Sequence, residues 1–312
     1  AQGNAPVQYG PGLKACAVEL NQIQCLPFKR CAQFFREKYF LTLSPGTLVK
    51  FARQASIRLR LWEQEARANL IASPLVHADE TGINVDGVLW WVHVVSNEHT
   101  VLMTAHRRRG TEAMVEADVL TNYTGMVCHD FWASYGTFDV IHVACNAHLQ
   151  RELEKVLEDH GQKWAGEMAG LLARANEERD QHQGDLPYER IQYYEEQYTR
   201  LLGKGDKANP RQMKRVGKSR GRIAQTYPRR LLERMRDCRS WIVLFLYDPS
   251  VPFTNNQAER DIRMLKVHQK VSGCFRSDEG ARDHCLLRSY ILTMQRRNVS
   301  YHQALSMLFE GT

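Results

Sequence analysis

The chain has 312 residues, of which 43% are hydrophobic and 25% charged, and its 42 Lys and Arg outnumber 35 Asp and Glu for a net charge of +7. That composition excludes a largely disordered chain and predicts one large globular domain or two to three smaller ones. A pI of about 9.0 predicts attraction to a polyanion, nucleic acid being the commonest.

The eight cysteines show no repeated spacing and no CxxC pair. They predict reduced thiols, mostly small core residues, in a cytoplasmic protein. No apolar run approaches the ~20 residues needed to span a bilayer, and AQGNAPVQYG lacks the charged-then-apolar pattern of a signal peptide, so a soluble protein is expected.

Residues 1–70 are expected to be helical. Leu13, Cys16, Ala17 and Leu20 fall at helical spacing, as do Phe28, Cys31, Phe34 and Phe35 after Pro27. Ser44 is a good N-cap with Pro45 at the first helical position, predicting a long amphipathic helix over 47–70. Short helix, turn and long helix make the outline of a helix-turn-helix, which serves equally a DNA-reading unit or an ordinary helical subdomain.

From residue 75 the period changes. PLVHADET, GVLWWVHVVSN and HTVLMTAHR are rich in β-branched and aromatic residues, predicting a strand followed by a hairpin through the SNEH turn. GTEAMVEADVL predicts a helix, GMVCHD a fourth strand, FWASYGTF a short helix and VIHVAC a fifth strand. Three strands, helix, strand, helix, strand is the order of the RNase H-like α/β fold, a mixed sheet with helices on both faces. Its nearly continuous apolar strands suit a sheet covered twice.

Residues 149–250 then predict long helices. Between Lys204 and Arg236 twelve basic residues stand against two acidic ones, and Lys214, Arg215, Lys218, Arg220 and Arg222 make this segment a candidate phosphate-contacting surface. The alternative is a solvated segment. The expected division is thus 1–70, helical; 71–148, the first part of the RNase H-like domain; 149–250, a basic helical insertion; and 251–312, the second part, opened by the helix TNNQAERDIRMLKVHQK.

Phosphodiester chemistry with two divalent ions needs carboxylates aimed at one point. Asp79 is expected at the end of the first strand, sharing a face with Leu75 and His77, with Glu80 on the other face; Asp130 ends the fourth strand. A carboxylate closing a buried strand is costly unless paired or metal-bound, though each Asp also suits an ordinary helix cap. With Asn256 as N-cap, Glu259 falls at the third helical position, where a capping box is the plain alternative. Arg263 and Lys266 follow on the Glu259 face. Trp132 and Tyr135 come directly after Asp130 and are candidates for contact with a DNA end, whereas Trp90 and Trp91 are expected in the core.

HADET at 77–81, CHDFWASY at 128–135, CNAH at 145–148 followed by Arg151, and NNQAERDIR at 255–263 with SGCFRS at 272–277 together resemble the transposases of the IS66 insertion-sequence family, in order and from about Tyr9 to the end. The resemblance implies a DDE-type DNA transposase whose acidic triad is Asp79, Asp130 and Glu259. It implies Mg²⁺, with Mn²⁺ as substitute, bound by those three residues for strand cleavage and transfer. It further implies double-stranded DNA as partner, at insertion-sequence ends and target, a homo-oligomer on DNA, and a basic residue seven after the Glu, here Lys266, near the DNA. Longer members carry an N-terminal coiled coil and a Cys-containing, zinc-binding-like segment, and nothing here matches either.

Three other readings compete. A zinc hydrolase would draw on His77, Asp79, His129, His142, Cys145 and His148, which lack a compact zinc signature; Cys145 and His148 are expected to be a packing and hydrogen-bonding pair. A transposase-derived DNA-binding protein would not need all three carboxylates. An RNase H-like nuclease would share the metal site but not the insertion or the helix-turn-helix.

Overall fold

A computed structural model of the protein describes residues 8–213 and 223–311. Four helices come first: α1 (Pro11–Gln22), α2 (Phe28–Tyr39), α3 (Pro45–Arg58) and α4 (Arg60–Ile71). The Ser44 hydroxyl accepts the Thr47 N–H at 3.0 Å and Pro45 opens α3, as the sequence predicts. The single helix expected over 47–70 is broken at Leu59 (φ −87°, ψ 0°), whose N–H bonds the Ser56 carbonyl three residues back. One tightened step leaves the hydrophobic period almost unchanged, so the pattern does not reveal it.

Strands β1 (Leu75–Val85), β2 (Val88–Ser96) and β3 (Val101–His106) follow, then α5 (Thr111–Ala117), β4 (Met126–His129) and β5 (Ile141–Ala144). The rest is helical: α6 (Asn146–His160), α7 (Lys163–Gln181), α8 (Tyr188–Ala208), α9 (Tyr227–Asp237), α10 (Arg239–Val243), α11 (Asn256–Ser272), α12 (Asp278–Arg296) and α13 (Tyr301–Glu310). The sheet order is β3-β2-β1-β4-β5, with β1–β3 an antiparallel meander and β4–β5 a parallel pair, the mixed arrangement of an RNase H-like α/β fold. FWASYGTF contributes only a 3-10 turn at Tyr135–Thr137. No helix among the described residues is long and apolar enough to cross a membrane.

The chain forms two compact units. The first comprises residues up to Gly125, Ala133–Val140 and the stretch from Asn256 onward. Asp86 (φ 48°) and Gly87 (φ 80°) form the two-residue turn between β1 and β2, the positive-φ pair that matches strand twist. Ile83 and Val85 of β1, Trp90, Val92 and Val94 of β2, and Met103 of β3 pack against Ala258, Ile262 and Leu265 of α11 and against Ala281 and Cys285 of α12. Edge strand β3 is not left open. Its Val101 and Met103 N–H groups donate to the hydroxyls of Thr293 and Ser289 on α12, at 2.9 and 2.8 Å. The helices α1, α3, α12 and α13 share a further core.

The second unit, Met126–Trp132 with Ile141–Asn255, has its own core. Leu149, Leu153 and Val156 of α6, Met168 and Leu172 of α7, Tyr198 and Leu202 of α8, and Leu232 and Met235 of α9 bury one another around Cys128 and Val143 of the parallel pair. At its ends, the Cys145 thiol accepts the Asn255 N–H at 3.1 Å and the Phe253 carbonyl accepts the Asn146 N–H at 3.0 Å.

Candidate active site

Asp79 is half-buried in the middle of β1, not at its end. The strand continues through Gly82 to Val85 because β2 pairs along its whole length, Asp79 opposite Val94 and Glu80 opposite His93, and because Phe275 of the SGCFRS segment bonds the Asn84 carbonyl and Asp86 N–H beyond it. Phe275 lies far away in sequence, and Gly82 and Asn84 are weak strand formers, so the local pattern ends the strand early.

Glu80, on the opposite face, is the residue that sequence reasoning missed. Its side chain is wholly enclosed, 0% exposed. Oε1 accepts from Nε of Arg109 at 2.9 Å and lies 2.8 Å from its Nη2, while Oε2 accepts the Tyr135 hydroxyl at 2.8 Å. The Arg109 guanidinium lies over the Trp91 ring, 4.9 Å from its centroid. A buried carboxylate is tolerated only with such compensation, and it locks this part of β1 in place. The Asp79 carboxylate meanwhile accepts the Glu80 N–H at 2.8 Å. Tyr135, expected at the DNA, is therefore only 3% exposed, and its hydroxyl is engaged by Glu80.

Glu259 is half-buried in the first turn of α11. That helix begins at Asn256, which makes Glu259 its fourth residue, one too late for the capping-box position. Ala258, Ile262 and Leu265 seat α11 on the sheet, so Asp79 and Glu259 stand on two elements packed against each other. Lys266 is exposed and its ammonium donates to the Gly82 carbonyl of β1. Arg263 is exposed and forms no ion pair among the described residues, so the plain i, i+4 pair with Glu259 is not made.

In the second unit, Asp130 directly follows β4 and is half-buried; its Oδ1 accepts the Trp132 N–H at 2.8 Å, closing a tight turn. Trp132 is 37% exposed. His129, fully buried, donates through Nδ1 to the Asp130 carbonyl, so its Nε2 is the acceptor from Nδ1–H of His142 at 2.9 Å. Burial pushes His129 down to about 3, and it is neutral at any working pH. Both ring nitrogens are thus committed, which counts against a zinc centre on His129 and His142. The His142 ring lies 4.2 Å from that of Trp241.

On α9, the Arg234 guanidinium lies 4.6 Å from the centroid of the Phe131 ring and is ion-paired with Glu152 of α6. Nothing in the local sequence signals that meeting, because Arg234 lies within a run of basic residues. Lys214, Arg215, Lys218, Arg220 and Arg222, the candidate phosphate contacts of that run, lie outside the described residues.

No curated protein matches the sequence. Among solved structures, a chain of the "CryoEM structure of simian T-cell lymphotropic virus intasome in complex with PP2A regulatory subunit B56 gamma" is 15% identical, with a TM-score of 0.21. The match covers 30% of this chain and 44% of that one, so it spans less than half of that chain's length. The profile of the family described as "Transposase IS66 family" matches residues 6–283. With most of its length matched, the chain belongs to the IS66 transposase family.

Proposed function

We propose that the protein is a DDE transposase that cleaves DNA at insertion-sequence ends and transfers the freed strand to target DNA. The observation that carries this reading is the placement of Asp79 and Glu259, half-buried carboxylates on two rigid elements packed together, in a chain of a transposase family. Asp130 of the second unit supplies the third carboxylate.

The donor chemistry fits a divalent metal. All three residues offer hard carboxylate oxygens, the ligands that Mg²⁺ or Mn²⁺ prefers. Such ions, when bound, activate the attacking oxygen and neutralise the leaving one. The residues of the chain do the rest. Glu80, held by Arg109 and Tyr135, keeps β1 rigid beneath Asp79. The Asp130–Trp132 turn fixes the second carboxylate and leaves Trp132 partly exposed beside it, where a base of the DNA end can stack. Lys266 and Arg263 present cations on the exposed side of α11.

Duplex DNA is the proposed partner, bound by a homo-oligomer because transposition pairs two ends. The five cations between Lys214 and Arg222 contact phosphates in this reading. Helix α3 is the proposed reading helix: Leu48, Phe51, Ala52 and Ala55 are buried, and Lys50, Gln54 and Ile57 face outward.

The test is cleavage of a DNA end in Mn²⁺ by Asp79→Asn, Asp130→Asn and Glu259→Gln. Each should abolish cleavage and strand transfer while folding and DNA affinity persist. Retained cleavage removes that residue from the triad, and DNA binding by a wild type inert in every metal would leave a transposase-derived DNA-binding protein.

A further inference from the structure

Within the second unit, Arg234 is the strongest unexplained feature. It comes from α9, deep in the helical insertion, yet its guanidinium covers the ring of Phe131, the residue next to Asp130. Its side chain is 32% exposed. One nitrogen is ion-paired with Glu152, while its Nε–H is buried with no acceptor among the described residues. Burial draws the guanidinium below its ordinary value, while the thiol of Cys238 and the carboxylate of Asp130 pull it back up. A cation held at this cost, within reach of an expected metal carboxylate, needs a purpose beyond packing.

We propose that Arg234 is a charge-balancing residue of the cleavage centre: it holds the Asp130 turn by stacking on Phe131, opposes divalent ions there, and takes a phosphate of the DNA end as its anionic ligand. Before DNA arrives, its positive charge stands beside Asp130 and weakens metal binding. A bound phosphate neutralises that charge, so metal and DNA reinforce each other, and by linkage each tightens the other's binding to the same degree. Glu152 acts in the opposite sense by partly cancelling Arg234. The helical insertion is thereby part of the reaction centre.

This inference rests on Asp130 being a metal ligand, and the experiment separates the two. Mn²⁺ binding to the full chain is followed by electron paramagnetic resonance, with and without a DNA end, beside single-turnover cleavage. Arg234→Gln should bind Mn²⁺ about threefold or more tighter without DNA, from the loss of a nearby like charge, yet cleave at least ~10-fold more slowly. Glu152→Gln should shift Mn²⁺ affinity the other way. Arg234→Lys should restore the wild-type Mn²⁺ affinity and only part of the cleavage, because an ammonium keeps the charge but not the planar stacking. A merely structural role would weaken metal binding and cleavage together in all three. Unchanged or weaker Mn²⁺ binding by Arg234→Gln, shifts of the same sign in Arg234→Gln and Glu152→Gln, or undiminished cleavage would overturn the proposal. Should Asp130→Asn bind Mn²⁺ as tightly as wild type, it is the metal assignment of Asp130 that fails.

Discussion

The Tyr135 hydroxyl donates to Oε2 of Glu80 at 2.8 Å, which ties the segment five residues after Asp130 to the residue directly after Asp79. Both groups are buried, so this bond cannot be exchanged for water without cost. Tyr135→Phe keeps the ring and removes the donor. It should lower stability by about 1.5–3 kcal/mol, the range for a hydrogen bond to a charged group, measured by urea unfolding. Cleavage should slow while DNA affinity holds. A variant as stable and as active as wild type would show the hydroxyl to be idle.

Lys266 already donates to the Gly82 carbonyl, but it is exposed, and the second role expected of it is a phosphate contact. Lys266→Ala should weaken DNA-end binding and lower the slope of log K against log salt by about 0.9, the value for one phosphate. Mn²⁺ uptake should be unaffected. An unchanged DNA-end affinity at low salt, where phosphate contacts count most, defeats this assignment.

The five cations Lys214, Arg215, Lys218, Arg220 and Arg222 should act as a block. Neutralising all five is expected to reduce the same slope by about 4 to 5 and to weaken binding to any sequence alike. A slope that stays put would make the block a solvated segment.

The second unit carries an acid-sensitive contact of its own. Glu178 accepts from Nε and Nη2 of Arg190 at 2.5 and 2.7 Å and from the Tyr194 hydroxyl at 2.6 Å, joining α7 to α8. The Arg190 bonds, with help from Tyr194, hold its carboxyl down to about 2. A carboxyl lowered in the folded state stabilises above its ordinary value near 4.5 and loses that contribution as pH falls toward 2. Glu178→Gln should therefore melt below wild type at pH 7, with the gap closing as pH drops through that window. A gap independent of pH would show that the charge of Glu178 contributes nothing.

Much of this molecule is legible from its amino-acid order because periodicity reports which face of an element is apolar. The order of strands and helices, the Ser44 cap, and the position of Asp130 at a strand end all come from such local signals. What stays hidden depends on residues far apart in the chain. Glu80 looks like any polar residue until Arg109 and Tyr135, 29 and 55 positions away, close over it. The true end of β1 depends on Phe275, and the worth of Arg234 depends on Phe131, neither of which leaves a trace in a local window. The helical insertion has the apolar spacing of ordinary surface helices, and only folding reveals a core of its own.

The bond from the Asn255 N–H to the Cys145 thiol, with the Asn146 to Phe253 pair beside it, joins positions 110 residues apart. The polypeptide therefore leaves β5 and comes back to almost the same spot, so the intervening stretch is a cassette whose length the β4–β5 pair does not dictate. Loop-closure entropy rises only slowly with length, so added residues in the turns of this cassette cost little in chain closure. Any exchange has to keep the faces of α6, α7, α8 and α9 that cover Cys128 and Val143, so the places open to insertion are the turns between those helices rather than the helices themselves.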